Sequence, residues 1–521
     1  MGIYLNPGNR NMQIARNGNF YVDKSMQLDV LNSKLDTESR YICISRPRRF
    51  GKSMAAEMIC AYYDRSVDSH NLFDDLKIAS AESYEKHLNK YNVIHLDMND
   101  FSDLDVEGTL KKIKLILTKD IKKIYPDLEY TYEDDFQITL QDVYNQTGVP
   151  FVVIIDEWDN IMRSHNYTET DRKKYLDFLK QLFKGKSYIA LAYMTGILPI
   201  KKYGEHSALN NFTEFSMEDQ AEFAAFTGFT EDEVAGLQEK YKFDFDEAKL
   251  WYNGYNVNGI ATYNPRSIVE MCSRKRFSSY WTKTETYEAL KKYIQMNFDG
   301  LREKVEAMIG GESVKINTAK FKNDMTNLES ADDVLALLIH LGYLTYDNIS
   351  RRCWIPNYEV QTEFINCIED GGWEEVMNSI QKSEDCLNAL LEGDADTVAR
   401  LIELAHQNNT SIIKYNDENS LACIVTLALY TANRKYQIIR ELPTGKGYAD
   451  LAFIPHPKVD LPAIVVELKK EQSESIAIKQ IKEKNYADCL KDYSGEVILV
   501  GVNYDENKHH TCIIEKIVKQ S

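Results

Sequence analysis

Basic residues are in the minority, with 62 Lys and Arg against 80 Asp and Glu and a formal net charge of -18. A field of that sign draws no polyanion to the molecule as a whole, so any nucleic-acid contact must come from a local basic patch. The nine cysteines (43, 60, 272, 353, 367, 386, 423, 489 and 512) contain no CxxC pair, and their odd number suits a reducing cytosol. HExxH is missing, and the ten histidines are scattered except for His509 and His510, so neither a structural zinc nor a zincin site is expected. No run is long and apolar enough for a membrane span. The first thirty residues hold no apolar segment with a small-residue cleavage site. The expectation is a soluble, cytoplasmic chain with no membrane contact. No Pro/Gly/Ser linker or low-complexity segment marks a boundary.

What is present is enough apolar material for several cores: 521 residues, 44% hydrophobic, or roughly three or four domains. YICIS (41–45), YNVIHLDM (91–98), PFVVIIDEWD (150–159) and SYIALAYMTG (187–196) are continuous apolar runs of strand length separated by helix-like segments. Strands buried on both faces of a parallel sheet read this way. Residues 1–215 are therefore expected as one α/β domain. Residues 216–286 turn helical and acidic and then pass through the turn-rich WYNGYNVNGIATYNP, which reads as a helical lid with a structured loop. Residues 287–408 return to helices, with Gly342 placed to stop one of them before a hairpin through Arg351 to Ile355, a winged-helix-like pattern. From 409 to 521 a helix, the strands YQIIREL, GYADLAFI and AIVVELKK, a second helix and VILVGVNY predict a mixed sheet flanked by helices.

The stretch SRPRRFGKSM (45–54) lies between the first strand and the helical pattern MAAEMICAYY. Gly51, Lys52 and Ser53 supply the end of a phosphate-binding loop: a glycine that lets backbone N–H groups turn to the phosphates, a lysine for the terminal phosphates, and a hydroxyl for magnesium. The first glycine of GxxxxGK[ST] would fall at position 46, where Arg46 stands, and Arg46, Arg48 and Arg49 crowd the loop with charge or form a solvated basic face. The phosphate cradle is expected from Arg48, Arg49, Phe50, Gly51, Lys52, Ser53 and Met54. About a hundred residues on, Asp156 would hold the magnesium with Ser53, and Glu157 would polarise the attacking water. The alternative is a solvated strand end that caps the next helix. Thr195, ending the next strand, could sense the terminal phosphate or belong to a plain turn.

YVDKS (21–25), SRPRRFGKS, IIDEWD, TGILPI, ALNNFTEFS (208–216), YNGY and YNPRSI (263–268) occur in an order that resembles the AAA-ATPase-like family of bacterial proteins, over roughly the first 285 residues. In that family RPRRFGKS/T is the usual form of the loop. The resemblance implies a P-loop core that binds ATP through Lys52 and Ser53, with Asp156 and Glu157 as the acidic pair.

In the last segment, residues two apart on AIVVELKK share a face, so Glu467 and Lys469 project together. Asp450, on the preceding strand, is an ionised residue among apolar neighbours. A magnesium ion shared by Asp450 and Glu467, with Lys469 orienting the water that attacks a phosphodiester, accounts for all three. So does a Glu467–Lys469 ion pair on an edge strand with Asp450 in a turn. Adding Glu418 on the preceding helix and Gln480 and Tyr486 on the following one, the order resembles the PD-(D/E)XK nuclease family over about residues 410–510. The resemblance implies a restriction-endonuclease-like fold with Glu418, Asp450, Glu467 and Lys469 as the catalytic set and Gln480 and Tyr486 in support. Two departures stand out: Tyr448 follows Gly447 where an arginine is frequent, and no histidine follows the helix acid.

The expected protein is an ATPase coupled to a magnesium-dependent nuclease acting on nucleic acid, more readily DNA, in defence or mobile-element handling. The alternative is an ATP-dependent switch or scaffold whose nuclease-like domain only binds nucleic acid or protein. A homo-oligomer is left open.

Overall fold

The apolar runs of the first two hundred residues become β1 (Tyr41–Ser45), β2 (Asn92–Asp97), β3 (Phe151–Asp156) and β4 (Ile189–Gly196), joined by a short β5 (Thr213–Phe215). They form one wholly parallel sheet in the order β2-β3-β4-β1-β5. Strand periodicity sorts their side chains into two cores. Tyr41, Cys43, Val153, Ile155 and Met194 pack with the helices Val106–Ile124, Phe136–Thr147 and Glu169–Phe183. Ile42, Ile44, Val152, Ile154 and Tyr193 face Met26–Asn32 and the helix α1 (Lys52–Tyr63). The continuous apolar runs are thus two interleaved faces, both covered.

This is a computed structural model, and it describes residues 1–521 apart from 133–134, 165, 201–208, 258, 282–285, 297, 323–324, 326–327, 371–372, 409–417, 445–446, 456–458, 471–473, 484–494, 506–508 and 518–521. The chain forms two units, each drawn from three stretches: Met1–Phe243, Asn253–Arg276 and Ile316–Arg351 in one, Asp244–Tyr252, Phe277–Lys315 and Arg352–Ser521 in the other. Among the described residues no helix is long and apolar enough to cross a membrane. Eight of the cysteines are described, and all are free thiols.

In the first unit, part of the turn-rich stretch folds as a hairpin, Tyr255–Val257 against Ile260–Tyr263, with Val257 paired to Ile260 and Gly259 at φ +81°. Phe229–Thr230 adds a third strand beside Tyr263. Gly342 ends the helix Ala331–Leu341 in the left-handed conformation expected of it, φ +88°.

The second unit carries the mixed sheet. Strands β6 (Tyr436–Thr444), β7 (Gly447–Pro455), β8 (Ala463–Lys470), β9 (Val497–Tyr504) and β10 (His510–Ile517) lie in sequence order, with β8 and β9 parallel and the other neighbours antiparallel. Ala449, Ala463, Val465, Val497 and Leu499 pack with Ile478 of the helix Glu474–Glu483 on one side. Strand β10 is an addition to the four that the sequence announced.

The helix Ala395–Asn408 packs on β10, and there His406 Nδ1 lies 3.1 Å from His510 Nε2, both rings buried beside Tyr504. Burial pushes His406 below the ordinary imidazole range, and burial together with its neighbour His406 takes His510 down to about 3, against the opposing charge of Asp505. Glu403 is engaged at the rim by His509, 3.3 Å away. An unfolded imidazole titrates near 6.5, so below that pH the unfolded chain takes up protons that the buried rings refuse, and stability falls as the pH falls. His510 alone is expected to cost about 2 kcal/mol between pH 7 and pH 5. Urea unfolding at the two pH values checks this, with His510→Gln expected to flatten the dependence.

Candidate functional site

Two candidate sites are present, one in each unit. In the first, strand order does the positioning: β4 lies between β1 and β3, with Ile44 level with Thr195 and Ser45 with Gly196. The loop leaving β1, the Thr195–Gly196 end of β4 and the acidic end of β3 therefore stand along one edge of the sheet, where ligands of open parallel sheets bind. Asp97 ends β2 level with Asp156. It was not singled out from sequence, and burial first, with the charge of Asp156 adding to it, pushes its carboxyl up.

Gly51 sits at φ +89° as the residue before α1, and Arg49 is also left-handed at φ +70°. A Cβ built on Gly51 would meet nothing within 4 Å, so this glycine serves the backbone turn and leaves open space in front of the helix N-terminus. Arg48, Arg49, Ser53 and Met54 are exposed around that space. Lys52 is buried, and its ammonium donates to the carbonyls of Arg46 and Pro47, 3.1 Å each, and lies 3.4 Å from Glu157 Oε1. Phe50 is turned inward. Its ring meets Tyr255 edge-on at 5.1 Å, and its carbonyl accepts from Gly228 N at 3.0 Å, which ties the loop to the three-stranded sheet of the same unit.

Arg46, in the place of the first glycine, does not join Arg48 and Arg49 at the surface. Its guanidinium is buried, donating through Nε to Thr227 Oγ1 at 2.6 Å and through Nη1 to the carbonyl of Ser45 at 3.1 Å. Burial lowers it to about 9. Arg46→Gly, which would restore the missing glycine, removes this buried anchor; it is expected to cost about 3 kcal/mol of stability and to bring no gain in ATP affinity. Denaturant unfolding and nucleotide titration of the same variant check both.

Asp156 is buried, and its Oδ1 accepts from the Thr195 hydroxyl and from Glu157 N at 3.0 Å. Glu157 follows at φ +51°, a conformation that costs a non-glycine residue about 1 kcal/mol and that is kept at functional sites. Burial alone would raise its carboxyl, but Lys52 and Arg163 outweigh burial and hold it below the usual range. Trp158 and Asp159 press on Gly196 so closely that a Cβ there would lie 2.7 Å from Asp159 Oδ1 and from Trp158 Nε1. The loop, Asp156, Glu157 and Thr195 are thus brought together, while Arg163 and Asp159 were not singled out from sequence. Their four-residue spacing on one helical turn was the available signal.

In the second unit, antiparallel pairing of Leu451 with Val466 carries Asp450 to the level of Glu467. Asp450 Oδ2 accepts from Leu468 N at 2.6 Å. Glu467 is buried; its Oε1 accepts from Lys469 Nζ at 3.1 Å and from Gln480 Nε2 of the following helix. The Glu467–Lys469 ion pair is therefore real, but β8 is an interior strand and Asp450 lies within β7 rather than in a turn. Glu418 opens the helix Glu418–Ala428, of which only the backbone is described at that residue, and Tyr486 lies outside the described residues. Among the described residues no three His, Cys, Asp or Glu side chains are grouped to hold a metal ion. Two hard carboxylates and an amine do fit a divalent cation completed by phosphate and water. The open space before Gly51 and the buried ammonium of Lys52 likewise fit a nucleotide phosphate.

Residues 9–204 match the family described as predicted AAA-ATPase, and residues 416–513 match the PD-(D/E)XK nuclease superfamily. An uncharacterized protein in the vnfD 5' region of Azotobacter chroococcum mcd 1 is 24% identical over 513 residues, 94% of this chain and 93% of its own. Among solved structures, the ORC2 protein of Aeropyrum pernix in its ADPNP-ADP complexes is 10% identical with a TM-score of 0.30, over 68% of this chain and 97% of that one. Cdc6p of Pyrobaculum aerophilum is 12% identical with a TM-score of 0.25, over 67% and 93%. Likenesses this faint define neither site nor activity.

Proposed function

We propose that the chain is an ATP-binding P-loop ATPase whose ATP state governs a divalent-metal-dependent phosphodiesterase acting on nucleic acid. The observation that carries the reading is the meeting of Asp450, Glu467 and Lys469 on neighbouring interior strands with Gln480 of the following helix, in a chain that also assembles Lys52, Asp156, Glu157 and Thr195 at one sheet edge. In this reading residues 1–215 are the nucleotide module, 216–286 its lid, 287–408 a connecting region and 409–521 the cleavage module.

The amides of Arg48 to Ser53 and the Lys52 ammonium bind the phosphates, Ser53 and Asp156 hold magnesium, Thr195 fixes Asp156, and Glu157 orients water. In the cleavage module Asp450 and Glu467 hold a divalent ion. That ion, when bound, polarises the scissile phosphate and acidifies water. Lys469 orients the attacking water beside Glu467, with Gln480 steadying the carboxylate. DNA is the preferred substrate class, in a cytoplasmic, bacterial setting of defence or mobile-element handling. Magnesium titrations of the purified chain with plasmid and with single-stranded DNA, scored by strand breaks, test the reading.

A second reading is favoured by the Glu467–Lys469 ion pair itself, which occupies both groups: an ATP-dependent switch whose last domain grips nucleic acid or protein without cutting. Retained DNA binding without strand breaks in those titrations selects it.

A further inference from the structure

The contact between Lys52 and Glu157 is one link in a longer buried chain of charges. Glu157 Oε2 lies 2.5 Å from Arg163 Nη2, and Arg163 Nε lies 2.9 Å from Asp159 Oδ2. That same Asp159 oxygen accepts the backbone N–H groups of Ile197 at 3.1 Å and Leu198 at 2.8 Å, just beyond Thr195. Leu198 O in turn accepts from Ser45 Oγ at the foot of the phosphate loop, 3.1 Å, and Ile200 N donates to Glu214 of β5 at 2.5 Å. The exposures of the Lys52, Glu157, Arg163 and Asp159 side chains are 4%, 14%, 13% and 0%, so water screens these links weakly.

Lys52 has two loop carbonyls besides Glu157 as acceptors, so its ammonium can exchange partners without being left bare. A phosphate that draws Lys52 draws it from Glu157, and Arg163, in direct contact, then fixes the carboxylate, with the charge of Arg48 adding to it. The planar fork of an arginine spans two carboxylates at once, which a lysine cannot do with the same geometry. Resting on the ATP reading above, we propose that Arg163 is a positioning residue of the hydrolytic site: it sets the direction of Glu157 and passes occupancy of the phosphate loop, through Asp159, to the Ile197–Leu198 segment. A purely structural clamp would hold the fold without any response to nucleotide.

The test compares wild type, Arg163→Gln and Arg163→Lys in the full chain. Its readouts are steady-state ATP hydrolysis and amide hydrogen exchange at Ile197 and Leu198, with and without a non-hydrolysable ATP analogue and magnesium. Arg163→Gln is expected to lower kcat about tenfold or more while the KM for ATP moves less than about threefold, with Arg163→Lys between it and wild type. The analogue is expected to change exchange at Ile197 and Leu198 in wild type and not in Arg163→Gln. A folded Arg163→Gln with wild-type kcat, or with the wild-type exchange response, overturns the proposal. Should Arg163→Gln not fold, Arg163→Lys decides by the same two readouts, wild-type values again overturning it. A wild type that binds the analogue but hydrolyses no ATP sinks the hydrolytic reading alone, and the exchange response then decides the relay. A wild type that binds no ATP sinks both.

Discussion

Lys52→Ala is expected to weaken ATP binding about 100-fold and to abolish hydrolysis, because it removes a buried charge-assisted donor aimed at the phosphates. Lys52 is held 3.1 Å from the carbonyls of Arg46 and Pro47, so its ammonium is already turned to the base of the loop and little ordering is left to be done on binding. The competing effect is on the fold. Alanine also deprives Glu157 of one of its cations, but Arg163 at 2.5 Å remains, so the carboxylate is not left uncompensated. Nucleotide titration separates the two effects when thermal unfolding is followed without nucleotide. Unchanged ATP affinity in Lys52→Ala would remove the loop from the account.

Asp450→Asn and Lys469→Ala are each expected to reduce metal-dependent phosphodiester cleavage about 1,000-fold, the scale of losing a metal ligand or a water-orienting amine. Asparagine keeps an acceptor for Leu468 N, so the pairing of β7 with β8 survives and a loss of cleavage reports on the site. Lys469→Ala is the harsher change. It removes the ammonium paired with the buried Glu467, and a drop of about 2–3 kcal/mol in stability is expected alongside the loss of activity. Gel assays of strand breaks on folded variants, checked by circular dichroism, measure both. Cleavage at the wild-type rate in both variants would assign any nuclease activity elsewhere.

Much of the fold was legible because its signals are local. The runs at 41–45, 150–159 and 187–196 are apolar along the body of each strand, with Ser45, Asp156 and Thr195 breaking the pattern only near the strand ends, and burial on both faces demands such a run. The Glu467–Lys469 spacing gave their shared face directly, and Gly342 announced the end of its helix. Strand β10 was not legible: HTCIIEKI is half polar, as an edge strand can afford to be, and only pairing with β9 defines it. The hairpin at Tyr255–Tyr263 hid in a stretch whose glycine and asparagine signals also describe an irregular loop. Two features of the candidate nucleotide site were tertiary and beyond any local pattern. Arg46 looked like a surface charge because its partner Thr227 is 181 residues away in sequence. Arg163 acquires its role from Glu157 and Asp159, which only the turn after β3 brings to it.

The central claim, that ATP at Lys52 governs metal-dependent cleavage at Asp450, Glu467 and Lys469, is tested most directly by one measurement: strand breaks produced by the purified chain on plasmid and single-stranded DNA in magnesium, with and without ATP, in wild type and Lys52→Ala. The account predicts metal-dependent breaks in wild type whose rate changes with ATP, and no ATP response in Lys52→Ala. No breaks in wild type with ATP, without ATP or with manganese would contradict it.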